Sequence, residues 1–109
     1  MKNPKFQVYR SGTDFRFRLL AVNGENILYS EAYTSKSGCL NGIESVKTNS
    51  PYDNRYDRRI STDNKYYFVL RALNYEVIGT SQLYTTAQSR EIGISAVKRD
   101  APSAPIDDL

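Results

Sequence analysis

An α+β fold made from two copies of one unit is predicted by three observations: an internal duplication, short stretches of alternating apolar residues, and a switch to helical spacing after them. Phe15–Pro51 reappears without a gap as Tyr66–Pro102, and fourteen of the 37 aligned residues are identical. Unrelated stretches of ordinary composition would share about two or three. At 109 residues the chain has the length of one ordinary domain, and half of it, about fifty residues, can bury only a modest core. The expectation is a single domain over 1–109 whose two repeats, 1–51 and 52–109, share a core.

Lys5–Arg10 alternates, with Phe6 and Val8 toward one face and Gln7 and Tyr9 toward the other, as a strand with one buried face requires. Pro4 suits its start. Ser11-Gly12-Thr13-Asp14 is turn chemistry. After it Phe15, Phe17, Leu19 and Ala21 share one face and Arg16, Arg18, Leu20 and Val22 the other, which predicts a long second strand. Asn23-Gly24 predicts a type I′ hairpin turn, because both residue types accept positive φ, and Glu25–Ser30 returns as a third strand. From Thr34 the period changes. Cys39, Gly42, Ile43 and Val46 recur at three and four residues, the apolar stripe of a helix ending near Thr48 or Asn49. Glycine costs a helix about 1 kcal/mol relative to Ala, so Gly42 and its match Gly93 are read as packing residues that let each helix approach the sheet closely. Asn49-Ser50-Pro51 ends the first helix.

In the second copy, Arg55–Ser61 alternates weakly, Tyr56, Arg58 and Ile60 against Asp57 and Arg59, with the polarity of an edge or exchanged strand. Thr62-Asp63-Asn64 turns the chain, Tyr66, Phe68, Leu70 and Ala72 repeat the buried face, and Asn74-Tyr75 stands where the first copy has Asn-Gly. Thr85 and Gln88 have the spacing of a capping box, which places the second helix start near Thr85. Ile94 and Val97 continue its stripe, but Arg90 replaces Cys39 on the side facing the sheet. Ala101–Pro105 stops the helix, and Ile106–Leu109 is left as either a short final strand or a loose tail.

These segments, in particular FRFRLLAVNGENIL, SEAYTSKSG and NGIESVKTNSP in the first copy and YYFVLRALNYEVIGTSQLYTTAQSREIGISAVK in the second, closely resemble the YegP family of small bacterial proteins. The resemblance covers essentially the whole chain. It implies tandem β3-α-β units that intertwine into a single antiparallel sheet, exchange their C-terminal strands and pack two helices on it. On that pattern Arg55–Ser61 leaves the first unit and Ser103–Asp107 leaves the second, giving a monomer with internal pseudo-dimer symmetry. Family members are uncharacterised, so the resemblance transfers no catalytic or binding residue. The Asn74-Tyr75 departure bears only on the type of that turn.

The residue inventory excludes several chemistries. With one cysteine, Cys39, and no histidine, the chain cannot form an internal disulfide, a Cys/His zinc site, a Ser-His-Asp triad or a Cys-His dyad. Its acidic residues are dispersed. The sequence thus points to a non-enzymatic binding or interaction module, without a cofactor and with an unidentified partner, ahead of an enzyme of unknown chemistry, for which a carboxylate site for magnesium or a lysine nucleophile is what the inventory leaves. No apolar run approaches the ~18 residues that span a bilayer, and Met1–Ser11 lacks an uninterrupted apolar core, so the cytoplasm is expected. The net charge of +3 sits in the first repeat, where seven Lys/Arg face four Asp/Glu against eight and eight in the remainder; it is explained as solubility charge more simply than as a nucleic-acid footprint.

Three binding candidates emerge. One is Asn54-Arg55-Tyr56-Asp57-Arg58-Arg59, the densest local charge cluster, which suits an anion, although Asp57 partly neutralises it and the favoured reading is an edge strand carrying charge against aggregation. The sheet face away from the helices is expected to show Arg16, Arg18, Tyr67 and Arg71, with Leu20, Val22, Val69 and Leu73 between them, a mixture of cations and rings that suits weak single-stranded nucleic-acid or anion binding. An antiparallel sheet wetting its polar face accounts for the same alternation and is the favoured reading. Arg90, near a helix start, is a candidate anion ligand, or else lays its stem on the core and sends its head to water. Cys39 is read as a small buried hydrophobe rather than a reactive thiol.

Overall fold

The computed structural model describes all residues 1–109. In chain order it contains β1 (Lys5–Ser11), β2 (Asp14–Leu20), β3 (Asn26–Tyr29), α1 (Lys36–Asn49), β4 (Tyr56–Ile60), β5 (Tyr66–Arg71), β6 (Val77–Thr80), α2 (Ala87–Asp100) and β7 (Ile106–Asp108). Short 3-10 turns, Asp53–Arg55 and Ala101–Ser103, follow the helices. The strands form one sheet in the order β4-β5-β6-β3-β2-β1-β7, so the strand after α1 joins the second copy and the strand after α2 joins the first. The crossing after each helix is as expected, but the two crossing strands are placed differently: β4 pairs antiparallel with β5 as β1 does with β2, whereas β7 runs parallel along the outer edge of β1, so the sheet is mixed rather than wholly antiparallel. β7 is also shorter than expected. Its first predicted residue, Ser103, lies in the 3-10 turn that carries the chain across from α2.

The copies meet at β3 and β6, where Tyr29 pairs antiparallel with Thr80. These are equivalent positions of the duplication, and self-pairing of equivalents is what a local twofold relation imposes. Side chains at the seam break the symmetry. Leu28 faces Gly79, its own equivalent, and a Cβ on Gly79 would stand 2.7 Å from Leu28 Cγ. The seam has room for one branched side chain, not two.

Both helices lie on one face of the sheet. Phe6, Val8, Phe17, Leu19, Leu28, Phe68 and Leu70 from strands meet Cys39, Ile43, Val46, Ile94 and Val97 from helices in a continuous core drawn from both copies. Cys39 is fully buried there. α1 and α2 are capped by Ser35 and Thr86, whose hydroxyls accept from the N–H of Gly38 and Ser89, 3.0 Å in each case. The cap of α2 is therefore Thr86, one residue beyond the expected Thr85, and Gln88 is not the N3 partner; the duplication itself carries the signal, since Thr86 matches Ser35.

The glycines act through tyrosines. After β3 the chain returns to β2, where Tyr33 and Phe15 exchange backbone hydrogen bonds of 2.7 and 2.8 Å, as do Tyr84 and Tyr66 in the second copy. This lays the Tyr33 ring on Gly42 and the Tyr84 ring on Gly93; an added Cβ would come within 2.8 and 2.7 Å of the respective Cζ atoms. The missing side chain admits a ring in both copies, and at Gly42 it also lets the helix close on the sheet as expected, since that Cβ would stand 3.1 Å from Phe17 Cε2. Ser30 and Ser81 fix the same return: each hydroxyl accepts from the N–H of Phe17 or Phe68 and donates to the next carbonyl, of Glu31 or Gln82.

The hairpin turns differ from the type I′ expectation. Gly24 donates to Ala21 and Ala21 to Glu25, and only Gly24, at φ +86°, is left-handed, so Val22-Asn23-Gly24 forms a three-residue loop. Such a loop ends on a residue in the left-handed region. The second copy repeats it through Tyr75, at φ +69°. As β2 ends at Leu20 and β5 at Arg71, Val22 and Leu73 belong to these turns and not to the sheet face.

Candidate functional site

Strand alternation places Gln7 and Tyr9 of β1, Arg16 and Arg18 of β2, Asp57 and Arg59 of β4, and Tyr67 and Arg71 of β5 on the face opposite the helices. The predicted residues fall into two separate clusters. In the first copy Arg18 Nε donates to Gln7 Oε1 at 2.7 Å, and its guanidinium lies 4.6 Å from the Tyr9 ring centre. In the second, Arg59 and Arg71 converge on the Asp57 carboxylate at 2.9 and 3.2 Å. Hydrogen bonding from Arg59, with Arg71 beside it, holds the Asp57 carboxyl below the ordinary value. Arg71 also donates to the Tyr75 carbonyl at 2.7 Å.

The two clusters are variants of one arrangement. Tyr9 pairs with Arg16 across β1 and β2, and Arg59 pairs with Tyr67 across β4 and β5, with the aromatic and the cation exchanged between strands. Of the four predicted face residues, Arg18 and Arg71 are engaged as above and Tyr67 lies beside Arg59, whereas the Arg16 guanidinium makes no hydrogen bond, ion pair or ring contact. Tyr29, 38% exposed, stands between the clusters at the seam.

Arg90 lies elsewhere, on the first turns of α2 against β4. Its Nη1 donates to the Arg59 carbonyl at 3.2 Å, its Nε meets Glu91 at 3.2 Å, and its guanidinium sits 5.3 Å from the Tyr66 ring centre. These contacts fasten α2 to the exchanged strand. Arg58 does the same from the strand side, reaching Glu91 at 2.8 Å and Asp53 at 3.0 Å. Asp53 also holds Lys98 at 2.7 Å. Its carboxyl is drawn down to about 2, by the Lys98 hydrogen bond first and then by Arg58.

Two hollows were not foreseen from sequence. A groove of about 580 Å³ runs between the β2–β3 turn and α2, with Val22, Ile27, Leu83, Tyr84, Ile92 and Arg99 among its walls. The Tyr84 hydroxyl is buried there without a hydrogen-bond partner, and burial pushes its phenol up. The available signal was asymmetry between the copies: Leu83 and Ile92 are large and apolar where the first copy has Ala32 and Asn41. A second hollow, of about 430 Å³, opens between β4 and the β5–β6 turn beside Arg55, Asp57, Arg71 and Tyr75. Arg55 donates to the Asn49 and Asn54 side chains and stacks on Tyr52, but has no carboxylate partner.

Comparison with known proteins matches this architecture. A UPF0339 protein from the ptx operon 5′ region of Stutzerimonas stutzeri is 52% identical over 102 residues, 93% of this chain and 92% of its own. The UPF0339 protein YegP of Escherichia coli is 50% identical over 98 residues, 90% and 89% of the two chains. Solution structures share the fold: SO3888 of Shewanella oneidensis at TM-score 0.91 and 45% identity, covering 96% of this chain and 90% of that one, and E. coli yegP, described as a protein of unknown function, at 0.91 and 46%, covering 99% and 94%. The pattern of the domain of unknown function DUF1508 matches twice, over residues 11–57 and 61–108, each match holding one β2-β3-α1 or β5-β6-α2 copy, the first with only Tyr56 and Asp57 of β4 and the second with all of β7. The chain thus belongs to the DUF1508 family, the YegP-like proteins of uncharacterised function, with two copies of the domain in tandem.

Proposed function

We propose that this chain is a non-enzymatic interaction module, a cytoplasmic monomer that meets its partner on the helix-free face of the sheet. The observation that carries the reading is the cation–aromatic strand pair in each copy, Tyr9–Arg16 and Arg59–Tyr67, set on either side of the half-exposed Tyr29. Tyrosine and arginine give large contact area with polar tips, the chemistry enriched where proteins bind one another. The buried, unpaired thiol of Cys39 accords with a reducing compartment. A photocrosslinking residue placed at Tyr29 should trap a discrete adduct in cells, whereas the same residue at the exposed helix position Glu44 should not. Equal labelling from both positions sinks the reading.

A second reading, weak binding of single-stranded nucleic acid through Arg16, Arg18, Tyr67 and Arg71, is favoured by one feature, the unpaired Arg16 close to Tyr9. Arg18 and Arg71 are already engaged within the protein, which lowers what phosphate contacts can gain. Titration with an oligonucleotide at two salt concentrations decides it, because phosphate contacts weaken steeply with salt. An absence of binding at low salt ends this alternative.

A further inference from the structure

Both ends of the sheet descend from the same strand of the duplicated unit, yet only one is covered. β1 carries β7 along its outer edge: Phe6 N–H donates to the Pro105 carbonyl at 2.8 Å and Leu109 N–H to the Val8 carbonyl at 2.9 Å. β4 is the equivalent strand. Tyr56 pairs with Leu70 as Phe6 pairs with Leu19, and Arg58 with Phe68 as Val8 with Phe17. Alternate residues of a strand turn their N–H and C=O groups to the same edge. Ser61 donates to Lys65 across the turn, so 57, 59 and 61 bond to β5 while 56, 58 and 60 face outward, where no strand lies beyond. The Tyr56 N–H is taken by the Asp53 carbonyl. The Tyr56 carbonyl and both backbone groups of Arg58 and Ile60 remain for a partner.

The covered edge also shows which chemistry it selects. β7 reads Ile106-Asp107-Asp108, and cations hold its acids: Lys5 meets Asp107 at 3.1 Å and Lys36 meets Asp108 at 2.7 Å. At the open edge Arg55 occupies the place of Lys5 and has no carboxylate to hold. Asp57 stands where β1 has Gln7, but Arg59 and Arg71 already neutralise it, leaving the local balance positive. Ala87 replaces Lys36, so only the first acid is asked for.

We propose that the outer edge of β4 is a strand-addition site for an extended acidic segment of a partner protein, an apolar residue followed by a carboxylate, which adds parallel to β4 as β7 adds to β1. Backbone bonds supply affinity and Arg55 supplies selection, the usual division of labour in strand addition. The site rests on the reading of the chain as an interaction module but uses the sheet edge, so the Tyr29 crosslinking result and the edge result are independent.

The test is titration of the intact, isotope-labelled protein with the peptide Ala-Pro-Ile-Asp-Asp-Leu, the chemistry of its own tail, followed by NMR amide shifts. Shifts should centre on Tyr56–Ser61 and Arg55, with slowed hydrogen exchange at Arg58. Arg55→Glu should weaken binding about fivefold or more, the scale of one exposed ion pair reversed. Arg58→Pro removes an outward N–H, a change an edge strand tolerates, and should abolish binding while the rest of the spectrum stays native. Should that variant unfold, the peptide Ala-Pro-Ile-Lys-Lys-Leu serves instead and should not bind. Shifts confined to Phe6–Val8, equal binding of the lysine peptide, or concentration-dependent self-association through β4 without any peptide would each overturn the proposal.

Discussion

At the residue scale, the duplication exposes which positions are shaped by local geometry and which by a neighbour. Tyr75 takes a left-handed conformation where the first copy uses Gly24, and its side chain is 78% exposed, so the ring gives back little packing. A side chain in that region costs about 1–2 kcal/mol. Tyr75→Gly should therefore raise stability by about 1 kcal/mol, read as a higher denaturant midpoint at unchanged slope. Gly93 is the opposite case, a glycine with ordinary helical backbone that makes room for the Tyr84 ring. Gly93→Ala should cost about 1–3 kcal/mol, the range for overpacking, and Tyr84→Leu in the same chain should recover part of it, which a double-mutant cycle would register as coupling.

At the element scale, the exchanged strands are held by charge as well as by ladder bonds. Arg58 and Asp53 tie β4 to α2, and Lys36 with Asp108 ties β7 to α1. The seam between β3 and β6 is fixed by shape instead, with Leu28 filling the space that Gly79 leaves. Gly79→Leu should destabilise by about 2 kcal/mol or more through overpacking. Adding Leu28→Gly restores one side chain at the seam and should return much of that loss in thermal melts; a purely additive pair would show that the seam does not work this way.

At the scale of the whole molecule, titration and cooperativity report on the same exchanged strand. Tyr56 is buried, its hydroxyl donating to the Ser50 carbonyl at 2.7 Å, and burial first, then the Asp53 carboxylate, pushes its phenol well above the ordinary value of 10.0. Its folded value lies above its unfolded one, so its contribution is present in full below about pH 10 and is lost as pH rises further. Tyr56→Phe should cost about 1–3 kcal/mol at neutral pH, for the buried carbonyl left unpaired, and should flatten the alkaline fall in melting temperature. Asp53 acts at the other end, since its folded value of about 2 lies below the ordinary 3.8. What it contributes is complete above about pH 4 and is lost as pH falls toward 2, so Asp53→Asn should flatten that acid limb.

We further propose that the two copies form one folding unit. The shared core and crossed strands should make the intact chain unfold in a single calorimetric transition, and a fragment ending at Ser61 should be unfolded or dimeric, the dimer restoring what the second copy supplies. Two resolved transitions, or a folded monomeric fragment, would show independent domains instead.

The sequence by itself determined the duplication, the α+β class, β1 to β5 and both helices to within a residue or two, and the buried stripe from Phe17 to Val97, because apolar period and turn chemistry are local properties that survive without the fold; it left Ile106–Leu109 open between strand and tail. It also carried the cation–aromatic character of Arg16, Arg18, Tyr67 and Arg71. Only the tertiary structure decided that these four divide into two clusters, that Arg90 fastens α2 to β4, that β7 lies parallel to β1, and that Gly42 and Gly93 exist for tyrosines reached through a return loop. Each of those depends on residues far apart in the chain coming within a few ångströms. The open edge of β4 is of the same kind: nothing in Arg55–Ser61 distinguishes an uncovered strand from a covered one, and the difference appears only because the chain has one final strand and two equivalent edges to place it on.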